Sequence, residues 1–194
     1  MGMVTEMRLQ GAPDETRERF NYKGMHRYLI TLLPARKGVK LAEKETVHTV
    51  LAVLRESCRE HQFEAYAYTF LPDRLVMIVR GKSIDADMKK FISTFRAVSS
   101  AALEPRMGIH VWARKYQERV LRKTENTRTM ADEVFRLAVK AGFAVRPSAY
   151  EFQGSFVLGN IEAPSPNVKP PTRLHPTRKR GGGHPSGRNA GRIA

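Results

Sequence analysis

Cysteine is almost missing from this chain. Of 194 residues only Cys58 carries a thiol, which excludes an internal disulfide and any cysteine cluster for zinc. Cys58 falls on the apolar side of an expected helix, where it reads as a small core residue rather than a nucleophile. Long hydrophobic runs are missing too: no window approaches the ~18 apolar residues of a membrane span. The opening MGMVTEMRLQ lacks the apolar segment of a secretory leader. A soluble, cytoplasmic protein without a membrane partner is therefore expected. Acids are scarce, and from Ala163 to Ala194 there is neither Asp nor Glu.

What the chain does have is positive charge. Its net charge is +15, and 41% of its residues are hydrophobic, enough for one ordinary core. A field of that sign attracts polyanions, of which phosphate backbones are the commonest. The acid-free terminus supplies +7 of the +15, so the remainder is basic in its own right. Pro, Gly and Ser crowd that terminus, and such a composition cannot bury enough apolar surface to offset its ordering entropy. Residues 161–194 are accordingly expected to be a disordered basic tail. As a phosphate-binding arm it would offer Arg178, Lys179 and Arg180; the alternative is a plain solubilising extension. Residues 1–24, broken by Gly11, Pro13 and Gly24, read as a flexible lead-in, which leaves 25–160 as one domain.

Within that domain, RYLITLL from Arg27 alternates as a strand. Val47, Val50, Leu51, Leu54 and Cys58 then recur at helical spacing. FEAYAYTF from Phe63 and Arg74 to Val79 read as two strands joined by a hairpin turn at Leu71-Pro72-Asp73. A second helix is expected over 86–103, with Met88, Phe91, Ile92, Phe95, Val98 and Ala102 inward. Ile109 to Leu121 reads as a strand. A third helix is expected from about Thr129 to Ala141, with Met130, Val134, Leu137, Ala138 and Ala141 inward and Gly142 as its stop. The order β-α-β-β-α-β plus a C-terminal helix predicts an α+β, ferredoxin-like fold: an antiparallel sheet with two helices on one face. Many activities share that plan.

Strand alternation puts Arg74, Val76 and Ile78 on one face and Leu75, Met77 and Val79 on the other. Here the chain resembles a family. FEAYAYTFLPDRLVMIV looks like the second and third strands of the HUH-superfamily single-tyrosine transposases, which include the REP-associated and insertion-sequence two-hundred types. WARKYQERVLR, from Trp112 to Arg122, resembles the family's Trp-x-Arg-x-Tyr-Tyr-Asp-His-Val-Leu-Arg strand without a gap. VKAGF from Val139 resembles the Val-x-x-Gly-Leu that closes the catalytic helix, and Arg146, Pro147 and Tyr150 resemble the Arg-Pro-x-x-Tyr that follows. The likeness spans roughly 25–155, in order.

The resemblance implies a metal-dependent DNA strand transferase, with Mg²⁺ or Mn²⁺ held by two histidines and a polar helix residue, and a helix tyrosine as nucleophile. All four positions differ here. The histidine positions fall on Arg74 and Val76, the tyrosine on Glu133 and the later ligand on Leu137. Val76 and Leu137 offer no lone pair and Arg74 is a permanent cation, so the metal site is expected to be lost and no cofactor is required. Glu133 would repel a phosphodiester. If Arg74 took over the metal's charge it could pair with Glu133; the alternative is independent drift.

Binding need not vanish with the metal, because affinity rests largely on phosphate contacts. Arg114, Lys115, Arg119, Arg122 and Lys123, interleaved with Trp112 and Tyr116, suit a strand that stacks bases and tracks a backbone. Lys89, Lys90 and Arg96 add charge on the second helix, and Arg96 matches a basic family position. The expected function is a transposase-like protein that binds single-stranded or hairpin DNA without nicking or strand transfer. The alternatives are an active transposase working through a tyrosine–DNA intermediate and an RNA-binding protein using the same sheet. The sequence leaves monomer and homodimer equally open.

Overall fold

The computed structural model describes residues 20–108 and 110–158. The lead-in before residue 20 and the tail beyond residue 158, with Arg178, Lys179 and Arg180, lie outside the described residues. The elements are β1 (Arg27–Leu32), α1 (Lys44–Glu60), β2 (Phe63–Leu71), β3 (Arg74–Gly81), α2 (Met88–Met107), β4 (Gln117–Val120), α3 (Thr127–Phe135), α4 (Leu137–Lys140) and a short β5 (Gln153–Gly154). Five strands form one sheet in the order β4-β1-β3-β2-β5, and every pair is antiparallel. This is the expected α+β, ferredoxin-like architecture.

The sheet is packed on both sides. Tyr28, Ile30 and Leu32 of β1 and Leu75, Met77 and Val79 of β3 face α1 and α2. There they meet Val47, Val50, Leu54 and Cys58 of α1 with Met88, Phe91, Ile92 and Phe95 of α2. On the opposite face Val76, Ile78 and Ala67 pack against Ala131, Val134 and Phe135 of α3. Residues two apart on a strand share a face, so β3 serves both layers with alternate residues. In β2 the register shifts between Ala65 and Ala67. That irregularity lets Ala65 and Phe70, an odd and an even position, belong to the same core.

Local chemistry sets the helix ends. The Asp87 carboxylate accepts from the Lys90 N–H at 3.1 Å, capping α2, and Gly108 closes it with φ 64°. Asn126 caps α3 by accepting from the N–H groups of Arg128 and Thr129. Gly142, at φ 76°, follows α4 as the expected stop.

The structure corrects several expectations. Val98 and Ala102 are exposed, and the buried positions of α2 include Ser99, Ser100 and Leu103 instead. Ala141 is exposed, whereas Ala131 and Phe135 carry the contact of α3. The strand expected over 109–121 is interrupted: Trp112 bridges Pro34, then the chain turns before β4 begins at Gln117. Phe20 and Tyr22, assigned to the lead-in, pack on the first core.

Candidate nucleic-acid interface

Two residues, Pro72 and Asp73, join β2 to β3, with Leu71 opposite Arg74. The fixed φ of proline suits the first turn position, and Asp73 uses the second to engage its neighbour. Arg74 Nε donates to Asp73 Oδ1 at 3.1 Å and Nη2 to Oδ2 at 2.7 Å. That hydrogen bond from Arg74 holds the Asp73 carboxyl below its usual range. Two residues on, Val76 is 6% exposed between Thr31 of β1 and Thr69 of β2. Leu137 packs on the same apolar cluster as Val76. The Thr69 hydroxyl donates to the Val134 carbonyl at 3.0 Å and so ties α3 to this part of the sheet.

Glu133 lies on α3 with its carboxylate turned along the helix. Lys140 Nζ donates to Oε2 at 2.7 Å and Arg136 Nη1 to Oε1 at 3.2 Å. The Lys140 hydrogen bond holds the carboxyl below its ordinary value. Arg74 and Glu133 therefore each have a partner close in sequence, and the pairing between them is not formed. These positions hold a guanidinium, two aliphatic side chains and a carboxylate already held by two cations. Among the described residues no cluster of three His, Cys, Asp or Glu side chains could hold a metal ion.

The basic residues separate into two groups. Arg96 is spent on structure: its guanidinium donates to the carbonyls of Ala113 and Arg114 and lies 5.5 Å from the centre of the Tyr116 ring. Trp112 is 5% exposed, and its indole N–H donates to Ser99 Oγ at 2.7 Å, so it is a core residue with no face for a base. Tyr116 is half-buried, and burial raises its phenol pKa. Arg119 is paired with Glu125 at 2.7 Å, and Lys89 Nζ sits 4.5 Å from the centre of the Tyr22 ring. Lys90, Arg114, Lys115, Arg122 and Lys123 are exposed. Arg114 and Lys115 precede β4, whereas Arg122 and Lys123 follow it. One strand thus carries its cations to opposite ends of the sheet.

A REP-associated tyrosine transposase bound to a REP hairpin superposes with a TM-score of 0.60 at 20% identity, covering 70% of this chain and 79% of that one. The chain has a transposase-like fold. A Deinococcus radiodurans protein provisionally assigned as a transposase gives a TM-score of 0.43 at 17% identity, covering 59% of this chain and 90% of that one. A bacterial tRNA(His) guanylyltransferase-like protein in complex with GTP gives 0.35 at 11%, covering 66% and 74%. These two overlap too loosely to bear on the fold. No family model and no curated protein sequence matches.

Two residues that sequence reasoning passed over organise this transposase-like fold. Arg27 of β1 donates through Nη1 to the Glu125 carbonyl at 2.8 Å and to Thr127 Oγ1 at 2.5 Å, and through Nη2 to the Arg122 carbonyl at 2.7 Å. Glu125 accepts from the Arg122 N–H at 2.6 Å and from Arg119. Together they pin the turn that launches α3 across the second face. Contacts between residues about a hundred positions apart leave no periodic trace in the sequence.

Proposed function

We propose that this protein binds single-stranded or hairpin DNA through a transposase-like fold and neither nicks nor joins the strand. The observation that carries the reading is the corner formed by β3 and α3. On the positions carried over from the family resemblance, the metal-ligand sites are a carboxylate-paired Arg74, a buried Val76 and an apolar Leu137. The nucleophile site is a Glu133 held by two cations. None of these groups can supply a Lewis acid or an activated hydroxyl to a phosphodiester. The basic surface supports binding, since cations that neutralise phosphates release counterions regardless of any chemistry that follows. The solved neighbour bound to a DNA hairpin supports hairpin DNA as the partner.

The test combines binding with chemistry. Labelled hairpin, single-stranded and duplex DNA and an RNA hairpin are titrated with the full chain, with and without Mg²⁺ or Mn²⁺. Denaturing gels then read cleavage and covalent adducts. We expect metal-independent binding that favours single-stranded or hairpin DNA, weakens steeply with salt and leaves the DNA intact. A shortened DNA or a protein–DNA adduct would establish strand transfer instead, and preference for the RNA hairpin would establish an RNA-binding protein.

A further inference from the structure

We infer that the phosphate backbone is gripped at one end of the sheet, by the loop between β1 and α1 together with the turn that precedes β4. This rests on the nucleic-acid-binding reading above and assigns it a surface. The structure zips the two segments together: the Ala35 N–H donates to the Val111 carbonyl at 2.7 Å, the Ala113 N–H to the Leu33 carbonyl at 2.8 Å, and Pro34 bridges Trp112. Arg36, Lys37 and Lys40 follow one segment of this ladder, and Arg114 and Lys115 follow the other. All five are exposed, and none is ion-paired to a described residue. Arg36 and Arg114 each stand two residues from the Pro34–Trp112 bridge, in opposite directions. The five cations thus flank this bridge as one strip.

Nearby acids do not neutralise the strip. Glu45 and Glu43, which follow the loop, are turned to Arg106 on α2 at 2.6 and 3.9 Å. Asp73 is held by Arg74, and Glu118 lies beside the Tyr116 phenol. The turn is also rigid where rigidity matters. Arg96 binds the Ala113 and Arg114 carbonyls, so Arg114 and Lys115 are presented by a fixed backbone and less ordering is required on binding. The opposite end of the sheet differs. There Arg27 is consumed by backbone carbonyls and Arg119 by Glu125, whose carboxylate sits in the middle of the cluster. Arg122 and Lys123 are left beside an acid.

The test compares three full-length variants with the wild type by fluorescence anisotropy of a labelled DNA hairpin across a salt series. They are Arg36→Gln/Lys37→Gln/Lys40→Gln, Arg114→Gln/Lys115→Gln and Arg122→Gln/Lys123→Gln. Each phosphate contact contributes about 0.9 to the slope of log affinity against log salt. The first variant is expected to flatten the slope by about 2 to 3 and the second by about 1 to 2, each with at least a tenfold loss of affinity. The third should stay within about threefold of wild type. If the third loses most and the first two keep the wild-type slope, the protein still binds nucleic acid but the assigned surface is wrong. If the wild type binds no nucleic acid, the function itself falls and the surface with it.

Discussion

At Gly81 the chain passes so close to residue 24 that a single methyl group decides the packing. A Cβ there would meet the Gly24 carbonyl oxygen and approach the Ala86 Cβ to 2.9 Å. Those contacts are backbone and a short side chain, so nothing can swing aside. The crossing matters because the 20–24 segment is stitched in here: the Gly24 N–H donates to the Ala86 carbonyl at 2.9 Å and the Met88 N–H to the Tyr22 carbonyl at 3.1 Å. Gly81→Ala is expected to destabilise the fold by about 1–3 kcal/mol. Urea unfolding would show it as a lower midpoint at unchanged m, and a midpoint equal to wild type would contradict the packing described. Cys58 tells the opposite story at the same scale. Burial pushes its thiol up to about 12, away from the thiolate form, in keeping with its place on the apolar side of the helix.

The element least legible in the sequence is the one joining β4 to α3, where polar contacts do the positioning. Burial alone would raise the Glu125 carboxyl, but the Arg122 N–H and the Arg119 guanidinium together hold it below its usual value. Glu125→Gln removes the charge while keeping an oxygen for the N–H, and is expected to cost about 1–3 kcal/mol near neutral pH. Because the folded carboxyl is depressed, its contribution is complete above the ordinary carboxylate range and disappears as pH falls through the folded value. The melting temperatures of wild type and variant should therefore converge in acid. A constant gap from pH 7 to pH 3 would refute the ionic account. Hydrophobic period made β1, α1 and the β2–β3 hairpin readable, since their apolar residues recur at strand or helix spacing on faces that the two cores cover. The same count failed in α2, where Ser99 and Ser100 are buried because Trp112 and Val111 need their hydroxyls, while Val98 is left outside. It failed again over 109–121, where Arg96 imposes a turn on residues whose apolar alternation reads as strand. At the corner of β3, alternation placed Val76 on the correct face, but the partner of Arg74 depended on rotamers that no spacing rule contains.

For the molecule as a whole, the consequential fact is that one sheet serves two cores of unequal size. The first, beneath α1 and α2, holds most of the large buried side chains; the second is a small cluster in which Phe135, 3% exposed, is the largest apolar member that α3 contributes. The two cores share only the sheet, and the cationic strip at the ends of β1 and β4 belongs to neither. Its backbone is set by the Pro34–Trp112 bridge and by Arg96 of α2, both on the side of the first core. Loosening α3 should therefore uncouple stability from binding. Phe135→Ala is expected to cost about 3–5 kcal/mol, because a large buried ring leaves a cavity that the surrounding strands cannot fill. In hydrogen exchange the loss should concentrate in α3 and the turn before it, with β1, β3, α1 and α2 keeping their order of protection. Held well below its melting temperature, the variant should retain hairpin affinity within about threefold of wild type, since no cation of the proposed strip has moved. A tenfold loss of affinity in a variant that is still folded would mean that the bound strand lies against α3 itself, over Val76 and Glu133, rather than at the end of the sheet.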